Sequence, residues 1–384
     1  MKNNKAFITL ISVFFFWGFV AASNDILIPV FKEKLNLEQW QSQMISFAFY
    51  VAYTVGSVLY FGLSKALGGD ILNRIGYKNG IALGLVISAF GTLMFYPAAE
   101  ISSFPLMILG LFIVGLGFSL QQTAANPLVI SIGDPSQGSQ RLSMAGGVNN
   151  FGTTIGPLIV SFAIFGAVGT STQVDSLDAV KAPYLILGAA FLLAALLFKT
   201  SSLPNQINTT SEETRLPEEA LDNQASTQRT DKTSAIAYPQ LWMGMIAIFL
   251  YVGVEVSTAS NLPEFMRVHL NTPTEKIAPY VSLFWASLMI GRWTGAVGAF
   301  NLSQGLKGAF RFLMPYIAFG VFLAANQIAG HNTSALWPYA GVILVLIAAD
   351  YLSQGNPARQ LLLFSLFGLS ALVVGMLADG MVSV

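Results

Sequence analysis

Ser119, Gln122, Thr123 and Asn126 fall on one face of a segment that is otherwise apolar from Phe104 onward. At about 100° per residue they form a single helical stripe, and Gln121 points the opposite way. Each Asn or Gln side chain offers a donor and an acceptor, which matches an uncharged, polyhydroxylated ligand whose hydroxyls both give and take hydrogen bonds. The segment is long enough to cross a bilayer, where a side-chain amide must find a partner or face water. The stripe therefore marks either the wall of a polar cavity or a seam of bonds between neighbouring helices. The same chemistry recurs at Asn149, Asn150 and Thr153, and at Asn24 near the start. Tyr50, Tyr53 and Trp285 offer rings that could stack on a ligand's apolar face.

Two carboxylates add a second kind of chemistry. Of the 19 acidic residues, all but Asp25 and Glu255 fall in loops, near span ends or in a polar linker. A carboxylate near the bilayer centre costs about 2.5–3.5 kcal/mol on insertion scales, and neither has a basic residue within its own span. Either each sits closer to the interface than its apolar run suggests, or each faces a cavity and binds a proton, a cation or a substrate hydroxyl. A buried carboxylate can take up and release a proton near neutral pH, as a proton-coupled carrier requires. Cysteine is absent, and the two histidines, His269 and His331, fall in expected loops. This excludes a thiol nucleophile and a disulfide framework, and it argues against a Ser-His-Asp site or a His-rich metal centre. With no paired-acid motif either, an integral-membrane enzyme is disfavoured. No metal or organic cofactor is expected, only a coupling ion, H⁺ or Na⁺.

The elements that position these groups are membrane helices. The 384-residue chain is 54% hydrophobic and 10% charged, against roughly 25% charged residues in soluble domains. The fold class is an all-α polytopic membrane protein. Apolar spans are predicted at about 7–30, 42–64, 79–98, 104–131, 143–169 and 182–199. After a polar linker rich in Ser, Thr, Gln and Glu at 200–236, further spans follow at about 241–262, 278–299, 309–330, 336–350 and 360–383. The first resembles a signal peptide, with Lys2, Lys5 and Ala21-Ala22-Ser23, but runs on through Pro29 and reads as a helix that is kept. The layout is six helices, a linker, then five.

The charges give this layout a direction. With the N-terminus in the cytoplasm, 14 of the 19 Lys and Arg lie in inside loops and 5 in outside loops, in accord with the positive-inside rule. The linker is then cytoplasmic. The first helix of each half carries Ala-Ser-Asn, at Ala22-Ser23-Asn24 and Ala259-Ser260-Asn261, a faint sign of an internal repeat. After the second span, Gly69-Asp70-Ile71-Leu72-Asn73-Arg74-Ile75-Gly76-Tyr77-Lys78 reads as a basic turn, or more sharply as a loop that pins its neighbours, with Arg74 reaching helix C-terminal carbonyls or an acid.

That turn resembles the Gly-x-x-x-Asp-Arg-x-Gly-Arg-Lys signature of the major facilitator superfamily. Gly69, Arg74, Gly76 and Lys78 match, while Asn73 and Tyr77 depart from it. Other strings resemble the fucose–proton symporter family and its glucose/galactose branch: Phe16-Trp17-Gly18-Phe19, Asn24-Asp25-Ile26-Leu27-Ile28-Pro29, Gln122-Thr123-Ala124-Ala125-Asn126-Pro127, Asn149-Asn150-Phe151-Gly152, Tyr251-Val252-Gly253-Val254-Glu255-Val256 and Gly291-Arg292. The resemblance implies a twelve-helix carrier fold that moves a hexose by alternating access with cation coupling. In the fucose permease an acid matches Asp25 and a glutamate matches Gln122. Here the second is an amide, as is typical of the glucose/galactose branch, so the fucose coupling scheme does not carry over whole. Asp25 and Glu255 become the candidates for ion coupling. Asn24, Gln122, Asn126, Asn149, Asn150 and Trp285 become the candidates for sugar contact, and Gly69, Arg74, Gly76 and Lys78 for a conformational loop.

Family members continue past the end of this chain with strings absent here, so the C-terminal half, 237–384, is expected to be truncated. Residues 301–359 resemble an inserted helix pair, and residues 1–199 form the N-terminal half. The expected protein is a monomeric, multi-pass carrier of the plasma membrane, most simply a bacterial inner membrane, with a monosaccharide substrate and no nucleic-acid partner. Glucose or galactose leads. Fucose, an amino sugar, a disaccharide and a sensor that binds sugar without translocating it remain open. Substitution of Gln122 should abolish binding, and substitution of Gln121 should spare most of it.

Overall fold

A computed structural model describes residues 2–133, 138–165, 178–207, 237–272, 277–297, 303–353 and 357–377. The described chain is helical apart from turns. In the first half, α1 (Lys2–Lys34) and α2 (Gln39–Ala66) are followed by a short α3 (Ile71–Ile75). Then come α4 (Tyr77–Leu93), α5 (Phe95–Glu100), α6 (Phe104–Ser131), α7 (Gly138–Phe165) and α8 (Asp178–Thr200). The second half holds α9 (Pro239–His269), α10 (Ala278–Ala296), α11 (Gln304–Ile328), α12 (Tyr339–Leu352) and α13 (Pro357–Leu377).

Local chemistry sets several ends. Ser103 caps α6 by accepting from the Leu106 amide, and proline follows within the first turn, where its missing N–H costs nothing. Glu38 opens α2 in a capping box with Gln41, whose side chain accepts from the Glu38 N–H at 2.8 Å. The third expected span, 79–98, is two helices. Pro97 would crowd the carbonyl of Leu93, four residues back, and α4 ends there. His269, expected in a loop, is the last residue of α9, its ring 5.1 Å from that of Phe265.

Within the first half α1 packs along α7, α4 along α6 and α8, and α2 along α6. The α4–α6 contact is nearly backbone on backbone. A Cβ on Gly117 would lie 2.5 Å from the Gly84 carbonyl oxygen, and one on Gly91 would lie 2.6 Å from that of Gly110. Small residues permit this approach in a medium where apolar burial alone gives helices little reason to associate.

The halves meet where α7 runs beside α10. Eight helical stretches are long and apolar enough to cross a membrane among the described residues. Neither α7 nor α10 is among them. Both are enclosed by other helices on several sides, so they tolerate Asn149, Asn150, Ser282 and Arg292 where a lipid-facing helix would not. A separate buried cluster includes both Ala22 of α1 and Ala259 of α9. The segment that holds the expected insertion forms α11 and α12, and α11 packs on α10 through Phe319 and Phe322.

The first residues of the expected linker are described. Residues 201–207 are docked on the first half: the Tyr77 amide donates to the Asn205 carbonyl at 2.8 Å, the Lys78 ammonium to the Ser201 carbonyl at 3.0 Å, and Leu203 is buried. Residues 208–236 lie outside the described residues.

Candidate functional site

The polar stripe of α6 lines a cavity of about 320 Å³. Ser119, Gln122, Thr123, Asn126 and Pro127 form one wall, and Tyr53 and Ser57 of α2 face them. All four stripe residues are therefore at the cavity, and helical phase alone had grouped them. Tyr53 and Ser57 are one turn apart on α2 and share its cavity face. Tyr53 was legible as an aromatic candidate. Ser57, in the apolar run Val55-Gly56-Ser57-Val58, was not singled out by its sequence context.

Most hydroxyls here are already committed. Thr123 donates to the Ser119 carbonyl at 2.8 Å, Ser57 to the Tyr53 carbonyl at 3.0 Å, and the Ser57 and Ser119 oxygens are 3.0 Å apart. The amides of Gln122 and Asn126 are different. Neither makes a hydrogen bond to any described residue. The Tyr53 hydroxyl is buried and has no partner among the described residues. The two amides, on a cavity wall shared with the Tyr53 side chain, form a set of uncharged donors and acceptors with no charge among them.

Gln121 lies on the other side of α6, fully buried. It accepts from the Trp17 indole N–H at 2.8 Å and donates to the Ser88 hydroxyl at 2.9 Å. It joins α1, α6 and α4 and does not line the cavity.

The remaining described candidates are not gathered there. Asn149 donates to the Phe14 carbonyl of α1 at 3.0 Å, a bond between helices. Asn150 is 3% exposed, and its amide nitrogen has no partner among the described residues. Trp285 packs in the cluster of Ala22, Ala259, Met266 and Val281, its indole nitrogen likewise unpartnered among the described residues. Asn24 and Asp25 fall within α1, and their side chains lie outside the described residues.

Glu255 is half-buried on α9. Its own span supplies no base, but the fold brings one: Tyr251, a turn earlier, interacts with both Glu255 and Arg292 of α10. Arg292 was legible only as part of a motif, because its nearness to α9 is a tertiary fact. No group of three or more His, Cys, Asp or Glu positioned to hold a metal occurs among the described residues.

The loop after α2 is held at both ends. Arg74 donates to the carbonyl of Leu67, the C-cap of α2, as the sharper reading of the sequence proposes. Asp70 accepts from the Leu72 amide at 2.9 Å and from the Tyr77 hydroxyl. Gly76 has φ +92°, a conformation that side chains rarely adopt, and a Cβ there would also meet Asn205 at 3.0 Å. Lys78 reaches across to the segment after α8. Gly69 has open space around it.

The family model for the Major Facilitator Superfamily matches residues 6–383. A glucose/galactose transporter of Brucella abortus biovar 1 (strain 9-941) is 32% identical, over 86% of this chain and 74% of its own length. The L-fucose-proton symporter of Escherichia coli (strain K12) is 30% identical, over 75% of this chain and 66% of its own length. Among solved structures, a major facilitator transporter, FucP, in the outward conformation matches with a TM-score of 0.59 at 28% identity, covering 79% of this chain and 73% of that one.

Proposed function

The chain belongs to the major facilitator superfamily, a family of transporters rather than enzymes, and we propose that it carries a hexose, glucose or galactose, by alternating access coupled to H⁺ or Na⁺. The observation that carries the reading is the α2–α6 cavity, where the side-chain amides of Gln122 and Asn126, without a partner among the described residues, offer uncharged hydrogen-bonding groups. Its volume is at the small end of the range for small-molecule sites, about 300–1,000 Å³, which suits a monosaccharide better than a disaccharide. The matched glucose/galactose transporter of Brucella points to the same class.

The roles divide by chemistry. Gln122 and Asn126 accept from and donate to sugar hydroxyls. Asp25 and Glu255 carry the coupling ion, because an amide at 122 cannot exchange a proton. Transport is a rocking of two helical halves about a site near the midplane. The carrier is a plasma-membrane protein with its N-terminus in the cytoplasm, supported by the bias of Lys and Arg, and it acts as a monomer.

The test is uptake into liposomes by the purified chain. Labelled glucose or galactose should accumulate when a pH or a sodium gradient is imposed and should not when both are absent. No uptake of any hexose under either gradient would reject the reading. Fucose is the second reading, favoured by the fucose symporter among the relatives. Competition against labelled glucose separates the two: excess fucose abolishes glucose uptake only if fucose is a ligand.

A further inference from the structure

The hydroxyls around Ser119 have a direction that the outline of the cavity does not show. A serine or threonine hydroxyl holds one hydrogen and two acceptor positions. A backbone carbonyl can only accept, so a hydroxyl bonded to one has spent its hydrogen there. Ser57 donates to the Tyr53 carbonyl at 3.0 Å, and Thr123 donates to the Ser119 carbonyl at 2.8 Å, each one turn back along its own helix. The Ser57 and Ser119 oxygens are 3.0 Å apart. Because the Ser57 hydrogen is already placed, the hydrogen between this pair comes from Ser119. Ser57 keeps one free acceptor position and no donor, and Thr123 keeps two acceptor positions and no donor. Both residues are exposed and line the cavity.

The seam between α2 and α6 fixes this arrangement. A Cβ on Gly56 would lie 2.8 Å from both the Cβ and the hydroxyl of Ser119, and one on Gly115 would lie 2.6 Å from the Phe49 carbonyl oxygen. The Tyr60 hydroxyl of α2 donates to the Leu116 carbonyl of α6 at 3.1 Å. Ser119 is buried between the two helices, with its hydroxyl on Ser57. Groups oriented in advance by the scaffold need little reordering when a ligand arrives.

We propose that Ser57 and Thr123 determine specificity at this end of the cavity, as acceptors that select a ligand hydroxyl able to donate its hydrogen to them. The amides of Gln122 and Asn126, on the same wall, both give and take hydrogen bonds and serve the ligand's remaining hydroxyls. A carboxylate, a phosphate, an ether oxygen or a fluorine placed against Ser57 or Thr123 sets acceptor against acceptor. The fitting occupant is a neutral sugar whose hydroxyl is free at that position, and an oxidised or phosphorylated group there is rejected. This deepens the hexose reading and rests on it.

The test is a binding titration of the purified chain with glucose, with galactose and, for each hydroxyl in turn, with the analogues that carry fluorine or hydrogen in its place. Fluorine has no hydrogen to give. At the hydroxyl that donates to Ser57 or Thr123, the fluoro analogue should bind at least about tenfold more weakly than the parent sugar, and no better than the deoxy analogue. Ser57→Ala or Thr123→Val should bring that parent-to-fluoro ratio to within about twofold of one and leave the ratios at other positions as they were. Ser57→Ala also takes the acceptor from the buried Ser119 hydroxyl, so Thr123→Val and the sugar panel on the parent chain keep the test decisive if that variant does not fold. Fluoro analogues that bind as tightly as the parent sugar at every position would overturn the assignment and leave the hexose reading standing. So would ratios that neither substitution alters. A chain that binds neither glucose, galactose nor fucose would reject the hexose reading, and the assignment with it.

Discussion

The Trp17 indole donates to the Gln121 side-chain oxygen at 2.8 Å, fully inside the first half. The same amide donates onward to Ser88 at 2.9 Å, so a single side chain satisfies polar groups on two other helices. Its neighbour Gln122 makes no such bond to a described residue and faces the cavity. Adjacent glutamines in one string thus have different surroundings, one bonded between helices and one facing a cavity.

Gln121→Ala leaves the Trp17 N–H buried without a partner. An orphaned buried donor costs about 1–3 kcal/mol, so the variant should melt at a clearly lower temperature in detergent. The expectation from helical phase that this change spares sugar binding applies only to the protein that remains folded. An unchanged melting temperature would show that the Trp17 bond contributes nothing.

Gln122→Ala and Asn126→Ala remove amides that hold no described neighbour. Melting should be unaffected, while sugar affinity falls by about tenfold or more, corresponding to about 1.4 kcal/mol per lost hydrogen bond. A thermal scan and a calorimetric titration of each purified variant measure the two quantities separately. Retained affinity in both would move the sugar site elsewhere.

Tyr53→Phe separates a ligand contact from a structural one. The phenol hydroxyl is buried without a described partner, so its removal should leave stability equal or slightly higher. Sugar affinity should fall if a ligand hydroxyl supplies the missing partner. A lower melting temperature with unchanged affinity would assign the hydroxyl to the fold instead.

Gly117→Leu tests the α4–α6 seam. Even a Cβ at this position lies 2.5 Å from the Gly84 carbonyl and 2.3 Å from the Ser88 hydroxyl. The backbone cannot yield without parting the helices, and overpacking of this kind costs about 1–3 kcal/mol or more. The variant should fail to give monodisperse protein, whereas Gly62→Ala, where a Cβ meets nothing, should behave as the parent.

The docked start of the linker gives a proteolysis test. Lys78→Ala removes the bond to the Ser201 carbonyl and frees an edge of the 201–207 segment. Cleavage within that segment should be faster in the variant than in the parent under limited protease. Equal rates would mean that Leu203 and the Tyr77–Asn205 backbone bond hold it unaided.

The sequence determined what periodicity and composition can encode. Apolar runs set the helices, and a 100° repeat put Ser119, Gln122, Thr123 and Asn126 on one face. The third span broke at Leu93 because of Pro97, a local rule that the span assignment had passed over. What only the tertiary structure decided is which partner each polar group meets. Asn149 and Asn150 are adjacent and identical, yet one bonds the Phe14 carbonyl and the other keeps a buried amide nitrogen with no partner among the described residues. Glu255 had no base in its own helix, and α10 brought Arg292 to it through Tyr251. Helical phase fixes a direction around one axis. The identity of what lies in that direction depends on how helices cross, and that follows from small residues at contacts far apart in the chain, such as Gly84 on Gly117 and Gly147 under Trp293.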